Sequence, residues 1–139
     1  MSKRIAVFFY GSFMRPDVMA RAEFTPADVE VAQLNGYDIC LDPHANVFPS
    51  PMHNVYGIVV QASHADLERM YSISGVGSFL PEAVLVTMND GRWLPAMCYM
   101  PPSRSNIPPD QPYLARLIEA AQLRGLPGDY VARLQSYAR

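Results

Sequence analysis

Short apolar runs separated by turn signals constrain the fold of this 139-residue chain more than any other feature. The first run, residues 4–9, is apolar without alternation, which is typical of a strand buried on both faces. The spacing of similar runs predicts five further strands, at residues 29–34, 37–41, 55–61, 82–88 and 93–100. Strands therefore dominate the first two thirds of the sequence.

Two turn signals predict hairpins between these strands. Asn35-Gly36 is typical of a type I′ turn, and Asn89-Asp90-Gly91 marks a clearer hairpin further along the chain. Residues 42–53 contain three prolines and no periodicity, so they predict a loop with at most a short strand.

Helices are predicted between the strands and after them. Ser63 and Asp66 have the spacing of a capping box, ahead of a helical stripe of apolar residues. The other predicted helices cover residues 16–22, 110–125 and 128–137. Because helices are inserted into a strand-rich chain and gathered at its end, the predicted class is α+β (mixed α/β), with a single domain over residues 1–139 and a curled sheet.

Composition and charge exclude several classes of function. The formal net charge is −2 and the basic residues are scattered, so we expect no nucleic-acid partner. Cys40 and Cys98 both fall in apolar runs without metal-ligand spacing, which predicts reduced core thiols and no metal site. Lys3 and Arg4 precede an apolar run too short for a signal peptide, and no run has transmembrane length. We therefore expect a cytoplasmic protein without a membrane partner.

The first strand ends in Tyr10-Gly11-Ser12, with Pro16 just downstream where a helix can begin. Glycine lets the backbone approach a ligand closely, and successive amides at a turn before a helix bind anions. The alternative interpretation is a tight turn that only starts a helix.

Several motifs in order resemble the γ-glutamylcyclotransferase-like superfamily, and the match covers nearly the whole chain. They are Tyr10-Gly11-Ser12-Phe13, NVYGIVV (54–60), SGVGS (74–78), MCYM (97–100) and GLPGDYVARL (125–134). The resemblance implies a small barrel flanked by helices, with a pocket at one end.

The resemblance also implies a reaction that needs no cofactor. Enzymes of this superfamily cleave a γ-glutamyl amide when the substrate's own α-amine attacks its γ-carbonyl, which releases 5-oxoproline. The site must hold the α-carboxylate, take a proton from the ammonium and stabilise an oxyanion. Residue by residue, Tyr10, Gly11, Ser12 and Phe13 correspond to the substrate-binding loop, and Tyr99 to a tyrosine near the pocket.

The catalytic base is the point at which this chain departs from the superfamily. The enzymes carry a glutamate in the loop after the middle helix, where this sequence has Ser74, which stays a candidate substrate-binding residue. A serine hydroxyl is too weak a base to deprotonate an ammonium by itself. Glu82 is the nearest candidate acid in the sequence. An alternating strand places it on the same face as Val84 and Val86, so it could reach a ligand if that face lines the barrel interior. The alternative is that Glu82 lies at an exposed strand start.

The remaining polar residues point to no second chemistry. His64 is expected in the first turn of a capped helix, and His44 and His53 in a solvated loop. Asp42 near His44 suggests a metal, but two ligands do not make a site. Ser12 and Ser74 have no evident histidine and aspartate partners, so a serine hydrolase is not expected.

Three functions remain open at this stage. The first is an amide-cleaving acyltransferase or lyase that acts, with an altered base, on a γ-glutamyl amine or related small amide. The second is a non-catalytic protein that binds a small molecule with a carboxylate and has lost the catalytic acid. The third is a structural or interaction protein that uses only the surface of the fold.

Overall fold

The structure is a computed structural model that describes residues 3–73, 80–100 and 106–138. Within these residues, five strands and four α-helices follow one another, with one turn of 3-10 helix, Ser12–Met14, after the first strand. The elements are β1 (Arg4–Phe9), α1 (Pro16–Arg21), β2 (Glu30–Leu41), β3 (Ala45–Ser63), α2 (His64–Ile73), β4 (Leu80–Met88), β5 (Trp93–Met100), α3 (Gln111–Leu123) and α4 (Gly128–Gln135).

The five strands form one closed barrel in the order β1-β3-β2-β4-β5. Neighbouring strands are antiparallel, except that β1 and β5 close the barrel in parallel with Val7 opposite Met97. The predicted mixed α+β class and the single curled sheet are therefore confirmed. The buried core joins the barrel interior to the helices, and its largest fully buried side chains are Phe8, Met14, Met19, Leu34, Ile39, Ile58, Met70, Leu114, Leu117 and Leu134.

The predicted hairpin at Asn35-Gly36 is wrong. Gly36 has a φ of +82°, but the strand continues through it as β2, and the register shifts between Asn35 and Tyr37. Asn35 pairs with Asn54 and Tyr37 with Pro49, so the irregularity leaves residues 50–53 of β3 between the two pairs. A glycine with positive φ suits a bulge as well as a turn, and the apolar residues beyond it keep the strand paired.

The loop predicted for residues 42–53 is also largely wrong, because most of these residues belong to β3. β3 begins at Ala45 and pairs Val47 with Ile39 of β2, which buries both side chains. The chain reverses at residues 42–44 instead, where Asp42 N–H donates to the His44 carbonyl over 2.8 Å.

Other local signals are confirmed. Ser63 and Asp66 form the reciprocal capping box, with Asp66 N–H donating to Ser63 Oγ over 3.1 Å and Ser63 N–H to the Asp66 carboxylate over 3.0 Å. Gly91, at the predicted hairpin, has a φ of +89°, and Gly125, after α3, a φ of +78°. The last helix ends at Gln135, two residues before the predicted end.

The side chains of Cys40 and Cys98 are both buried, as predicted. Burial, with a smaller effect of the Glu82 charge, raises the pKa of Cys98 to about 12. The thiol therefore stays protonated at neutral pH. Among the described residues, none of the helices combines the length and the apolar character that a membrane span requires.

A close approach of β1 and β3 sets the position of the loop that follows β1. A Cβ at Gly57 would lie 2.2 Å from the Phe9 carbonyl oxygen and 2.9 Å from the Phe8 ring. Only glycine fits at this crossing, because backbone cannot yield as a flexible side chain can. Phe9, the last residue of β1, is thereby held against β3.

Candidate functional site

A cavity of about 290 Å³ lies where β1 ends, and several elements contribute to it. Its lining combines aromatic side chains with two arginines and one histidine, and comprises Phe8, Phe9, Tyr10, Gly11, Ser12, Phe13, Arg15, Val18, Arg21, Ala22, His44, Ala45, Tyr71, Tyr99 and Tyr113. A cavity of this size and mixed lining suits a small polar molecule.

The loop Tyr10–Phe13 forms one side of the cavity. The Tyr10 hydroxyl donates to the carbonyl of Tyr99 over 2.8 Å, which ties the loop to β5. Burial raises the pKa of Tyr10 far above its usual value, so this hydroxyl keeps its proton. The Phe13 ring contacts Phe9 and Tyr71, with centroids 5.3 and 5.1 Å away. The loop is thus held by a hydrogen bond at Tyr10 and by packed aromatic rings at Phe13.

Tyr71 of α2 and Tyr99 of β5 form a second side. Their rings stack with centroids 4.0 Å apart and an angle of 24°. Burial raises the pKa of both phenols, so both hydroxyls stay protonated at neutral pH. The stack provides an apolar surface for the uncharged part of a ligand.

The third side is formed by the β2–β3 turn and the start of α3. The Tyr113 hydroxyl accepts from Ala45 N–H over 3.2 Å and also contacts the amide of Ser12. A Cβ at Gly11 would lie 3.2 Å from this hydroxyl. Glycine at position 11 therefore lets the loop and α3 meet, which links the predicted binding loop to a helix 100 residues away in sequence.

His44 lies on the same side of the cavity as Tyr113. The two rings pack with centroids 4.5 Å apart. The Nε2 atom of His44 is 3.7 Å from Oδ2 of Asp110, the residue that caps α3. The side chain of His44 is 55% exposed, so it borders both the cavity and solvent.

The charge of the lining favours an anion. Arg15 and Arg21 both line the cavity, and Arg15 is also paired with Asp17. Among the described residues, none of the lining side chains is a carboxylate. The positive groups and the amides at the start of the 3-10 turn suit a carboxylate ligand.

The structure brings together most of the residues that the sequence predicted for the site. Tyr10, Gly11, Ser12, Phe13 and Tyr99 all line this one cavity. Ser74 lies outside the described residues.

Glu82, the predicted catalytic residue, lies elsewhere. It is exposed on β4, opposite Cys98 of β5, and is absent from the lining. The catalytic role of Glu82 stays a prediction, and its exposed position outside the cavity lining does not favour that role.

Sequence reasoning missed Tyr71, Tyr113, His44 and the two arginines. His44 was expected in a solvated loop, and Tyr113 carried no motif. The signal for Tyr113 was indirect: it lies at N3 of α3, where its N–H donates to the side chain of the Asp110 cap.

A second histidine cluster lies at the β2–β3 irregularity. Ser50 Oγ and His53 Nδ1 are 2.6 Å apart, and the same Nδ1 atom is 3.9 Å from Oδ2 of Asp38. A catalytic triad needs serine and aspartate on different ring nitrogens, so this is not one. Over residues 3–73, 80–100 and 106–138, no group of three or more histidine, cysteine or acidic side chains could hold a metal.

Comparison with known proteins gives the same architecture. The model of a family described as AIG2-like matches residues 54–134, more than half of the chain. The γ-glutamylcyclotransferase of Bos taurus is 28% identical over 94 residues, which is 66% of this chain and 50% of that protein. The chain thus spans about half the length of this curated relative.

Solved structures match over nearly the whole chain. One described as γ-glutamyl cyclotransferase has a TM-score of 0.81 at 20% identity and covers 96% of this chain and 88% of its own. YkqA from Bacillus subtilis has a TM-score of 0.82 at 22% identity, covering 97% of this chain and 54% of its own. At these identities the likeness concerns the fold.

Proposed function

Because the chain belongs to the AIG2-like family, within the γ-glutamylcyclotransferase-like superfamily, we propose that it cleaves a γ-glutamyl amine or related small amide to 5-oxoproline and a free amine. The observation that carries the proposal is the convergence of the Tyr10–Phe13 loop and Tyr99 on one cavity that also holds Arg15 and Arg21. Binding of the substrate's α-carboxylate at the loop and the arginines brings its α-nitrogen into the same cavity as its γ-carbonyl.

The cavity supplies the positioning that this reaction mainly needs. Ring closure joins two groups of one molecule, so holding the substrate folded is a large part of catalysis. The Tyr71–Tyr99 stack and the ring of Phe13 exclude water from one side of the bound molecule. The volume of about 290 Å³ suits a glutamyl group with a short leaving group.

A second candidate function is binding without catalysis. One observation favours it: no carboxylate lines the cavity within the described part of the chain. The resemblance to the enzymes, which implies Ser74 at the position of their glutamate, is in line with this alternative. Under this alternative the protein binds 5-oxoproline or glutamate and releases no product.

Release of 5-oxoproline from a panel of γ-glutamyl amines and amino acids tests the proposal. Binding of 5-oxoproline is measured in parallel by the amide chemical shifts of Gly11, Ser12 and Phe13. Release together with binding is the expected result. Binding without release from any member of the panel would favour the second function, and neither binding nor release would contradict both.

A matched pair of glycine variants tests whether the cavity is the site. In Gly11→Ala the new methyl group meets the Tyr113 hydroxyl at 3.2 Å and Ala45 Cβ at 3.4 Å, so affinity for 5-oxoproline should fall about tenfold, or 1.4 kcal/mol. Gly128→Ala is the control, because a Cβ there meets nothing within 4 Å. Equal affinities in the two variants would place the ligand elsewhere.

A further inference from the structure

The proposed reaction needs a group that takes a proton from the substrate's ammonium, and no carboxylate lines the cavity within residues 3–73, 80–100 and 106–138. The sequence outside these ranges, at positions 1–2 (MS), 74–79 (SGVGSF), 101–105 (PPSRS) and 139 (R), contains no acidic side chain and no histidine. Histidine is the side chain that most often acts as general base in enzymes. Among the described residues that line the cavity, His44 is the only histidine.

We infer that His44 is the general base of this cavity and that Asp110 positions it. The inference rests on the proposed function, since it names the group that moves the proton in that reaction. In this protein, His44 in the turn between β2 and β3 would take the role that a glutamate has in the related enzymes.

The ring of His44 is held from two directions. Tyr113 packs against its face, with centroids 4.5 Å apart, and the Asp110 carboxylate lies 3.7 Å from Nε2. A carboxylate near Nε2 favours the tautomer with the proton on that nitrogen, and Nδ1 is then the proton acceptor.

Asp110 is itself held in place by the backbone on both sides. Its Oδ1 accepts from Tyr113 N–H over 3.0 Å as the cap of α3, which leaves Oδ2 toward His44. Its own N–H donates to the carbonyl of Pro43 over 3.1 Å. The same turn is anchored again where Asp42 Oδ1 accepts from Ile107 N–H over 2.9 Å. The histidine and its carboxylate therefore lie on two segments that are bonded to each other.

The proton transfers balance without any further reactant. His44 takes a proton from the α-ammonium, and the freed electron pair forms a bond to the γ-carbonyl carbon as the C=O π pair moves to oxygen. The imidazolium returns its proton to the leaving nitrogen, the C=O π bond re-forms as the bond from the γ-carbon to that nitrogen breaks, and the electron pair of the broken bond leaves with the nitrogen. The α-nitrogen, which still carries two protons, passes one of them to the departing amine and becomes the lactam N–H. Two protons therefore move in all, and the imidazole ends in its starting form.

His53 provides a matched control. It is also beside an aspartate, with Nδ1 3.9 Å from Asp38 Oδ2, but it lies outside the cavity lining and Ser50 contacts the same nitrogen at 2.6 Å. Both histidines have side chains that are about half exposed, 55% for His44 and 44% for His53. At each position, a substitution to glutamine therefore removes an imidazole beside an aspartate, from a side chain of similar exposure.

Steady-state release of 5-oxoproline by the full chain and its His44→Gln and His53→Gln variants tests the inference. His44→Gln should lower kcat by about 10² to 10⁴, leave KM within about threefold, and keep binding of 5-oxoproline. His53→Gln should stay within twofold of the wild type in both constants. A His44→Gln enzyme with more than a third of the wild-type kcat overturns the inference and leaves the proposed function standing. A wild type that releases no 5-oxoproline from any substrate overturns both.

Asp110→Asn tests the positioning role apart from the structural one. Asparagine caps a helix nearly as well as aspartate does, so the thermal midpoint should change only slightly, whereas kcat should fall about tenfold with KM unchanged. Asp110→Glu, which restores the charge, should recover part of kcat. An Asp110→Asn enzyme with wild-type kcat would reduce Asp110 to a helix cap and overturn its part in the inference.

Discussion

Two histidine–aspartate pairs lie in this small barrel at nearly the same separation. His44 Nε2 is 3.7 Å from Asp110 Oδ2, and His53 Nδ1 is 3.9 Å from Asp38 Oδ2. The Asp110 side chain is 42% exposed and the Asp38 side chain 10%. The separation alone would assign both pairs the same chemistry.

The carboxylates of the two pairs have different neighbours. Arg133 of α4 donates to both oxygens of Asp38, and Ile39 N–H donates to Oδ1 over 2.8 Å, so the charge of Asp38 is already compensated. Asp110 has no arginine or lysine among its ion pairs in the described residues. The difference between the two pairs shows that distance to a histidine is not enough. The carboxylate is available to the imidazole only where it is not already bonded to an arginine.

The Asp38–Arg133 pair also has a structural task, because it joins α4 to β2. Asp38→Ala leaves the half-buried guanidinium without its partner, and we expect the free energy of unfolding to fall by about 2 to 3 kcal/mol. Urea unfolding followed by circular dichroism measures this. The specific rate of 5-oxoproline release by the folded fraction should not change, because Asp38 is outside the cavity lining.

A loss of less than about 0.5 kcal/mol in Asp38→Ala would mean that the pair behaves as an exposed ion pair. In that case compensation by Arg133 would no longer explain why the two histidine sites differ.

The corresponding change at the other pair has a smaller effect on stability. Asp110→Ala removes the acceptor for Tyr113 N–H at the start of α3, which should cost about 1 kcal/mol of unfolding free energy. Asp110→Asn keeps an acceptor and should cost only a few tenths. Equal losses in the two variants, again by urea unfolding, would show that the carboxylate charge rather than the cap stabilises this end of α3.

The smallest effect is expected at His53. Its side chain is 44% exposed and its contacts with Ser50 and Asp38 lie at the surface, so His53→Gln should change the free energy of unfolding by less than about 0.5 kcal/mol. Urea unfolding checks this. A larger loss would show that the contacts of His53 with Ser50 and Asp38 stabilise the fold, and the two histidines would then differ less.

Local signals predicted those elements of the fold whose stabilising contacts lie close in sequence. The capping box of Ser63 and Asp66, the hairpin at Gly91 and the strand at residues 4–9 were all predicted from neighbours within a few positions. The hairpin prediction at Asn35-Gly36 failed because the positive φ of Gly36 is compatible with both a turn and a bulge. The pairing of Ile39 with Val47, beyond Gly36, shows that the strand continues through a bulge.

The candidate site divides in a similar way. Tyr10–Phe13 and Tyr99 were predicted because they resemble motifs of the γ-glutamylcyclotransferase-like superfamily. His44 and Tyr113 were not, since only the folded chain brings them together: they are 69 positions apart in the sequence, and their ring centroids are 4.5 Å apart in space.

By itself, the sequence determined that this chain pairs short apolar strands into one sheet, with a Tyr-Gly-Ser loop after the first. Those properties follow from periodicity, glycine conformations and caps, which act over a few residues. Only the tertiary structure decided which charged groups meet, because the barrel closure and the packing of α3 and α4 bring together residues that are distant in sequence. Arg133 thereby reaches Asp38, and Asp110 reaches His44. Coulomb interactions and proton transfer depend on distances of a few ångströms, and no local pattern encodes those distances.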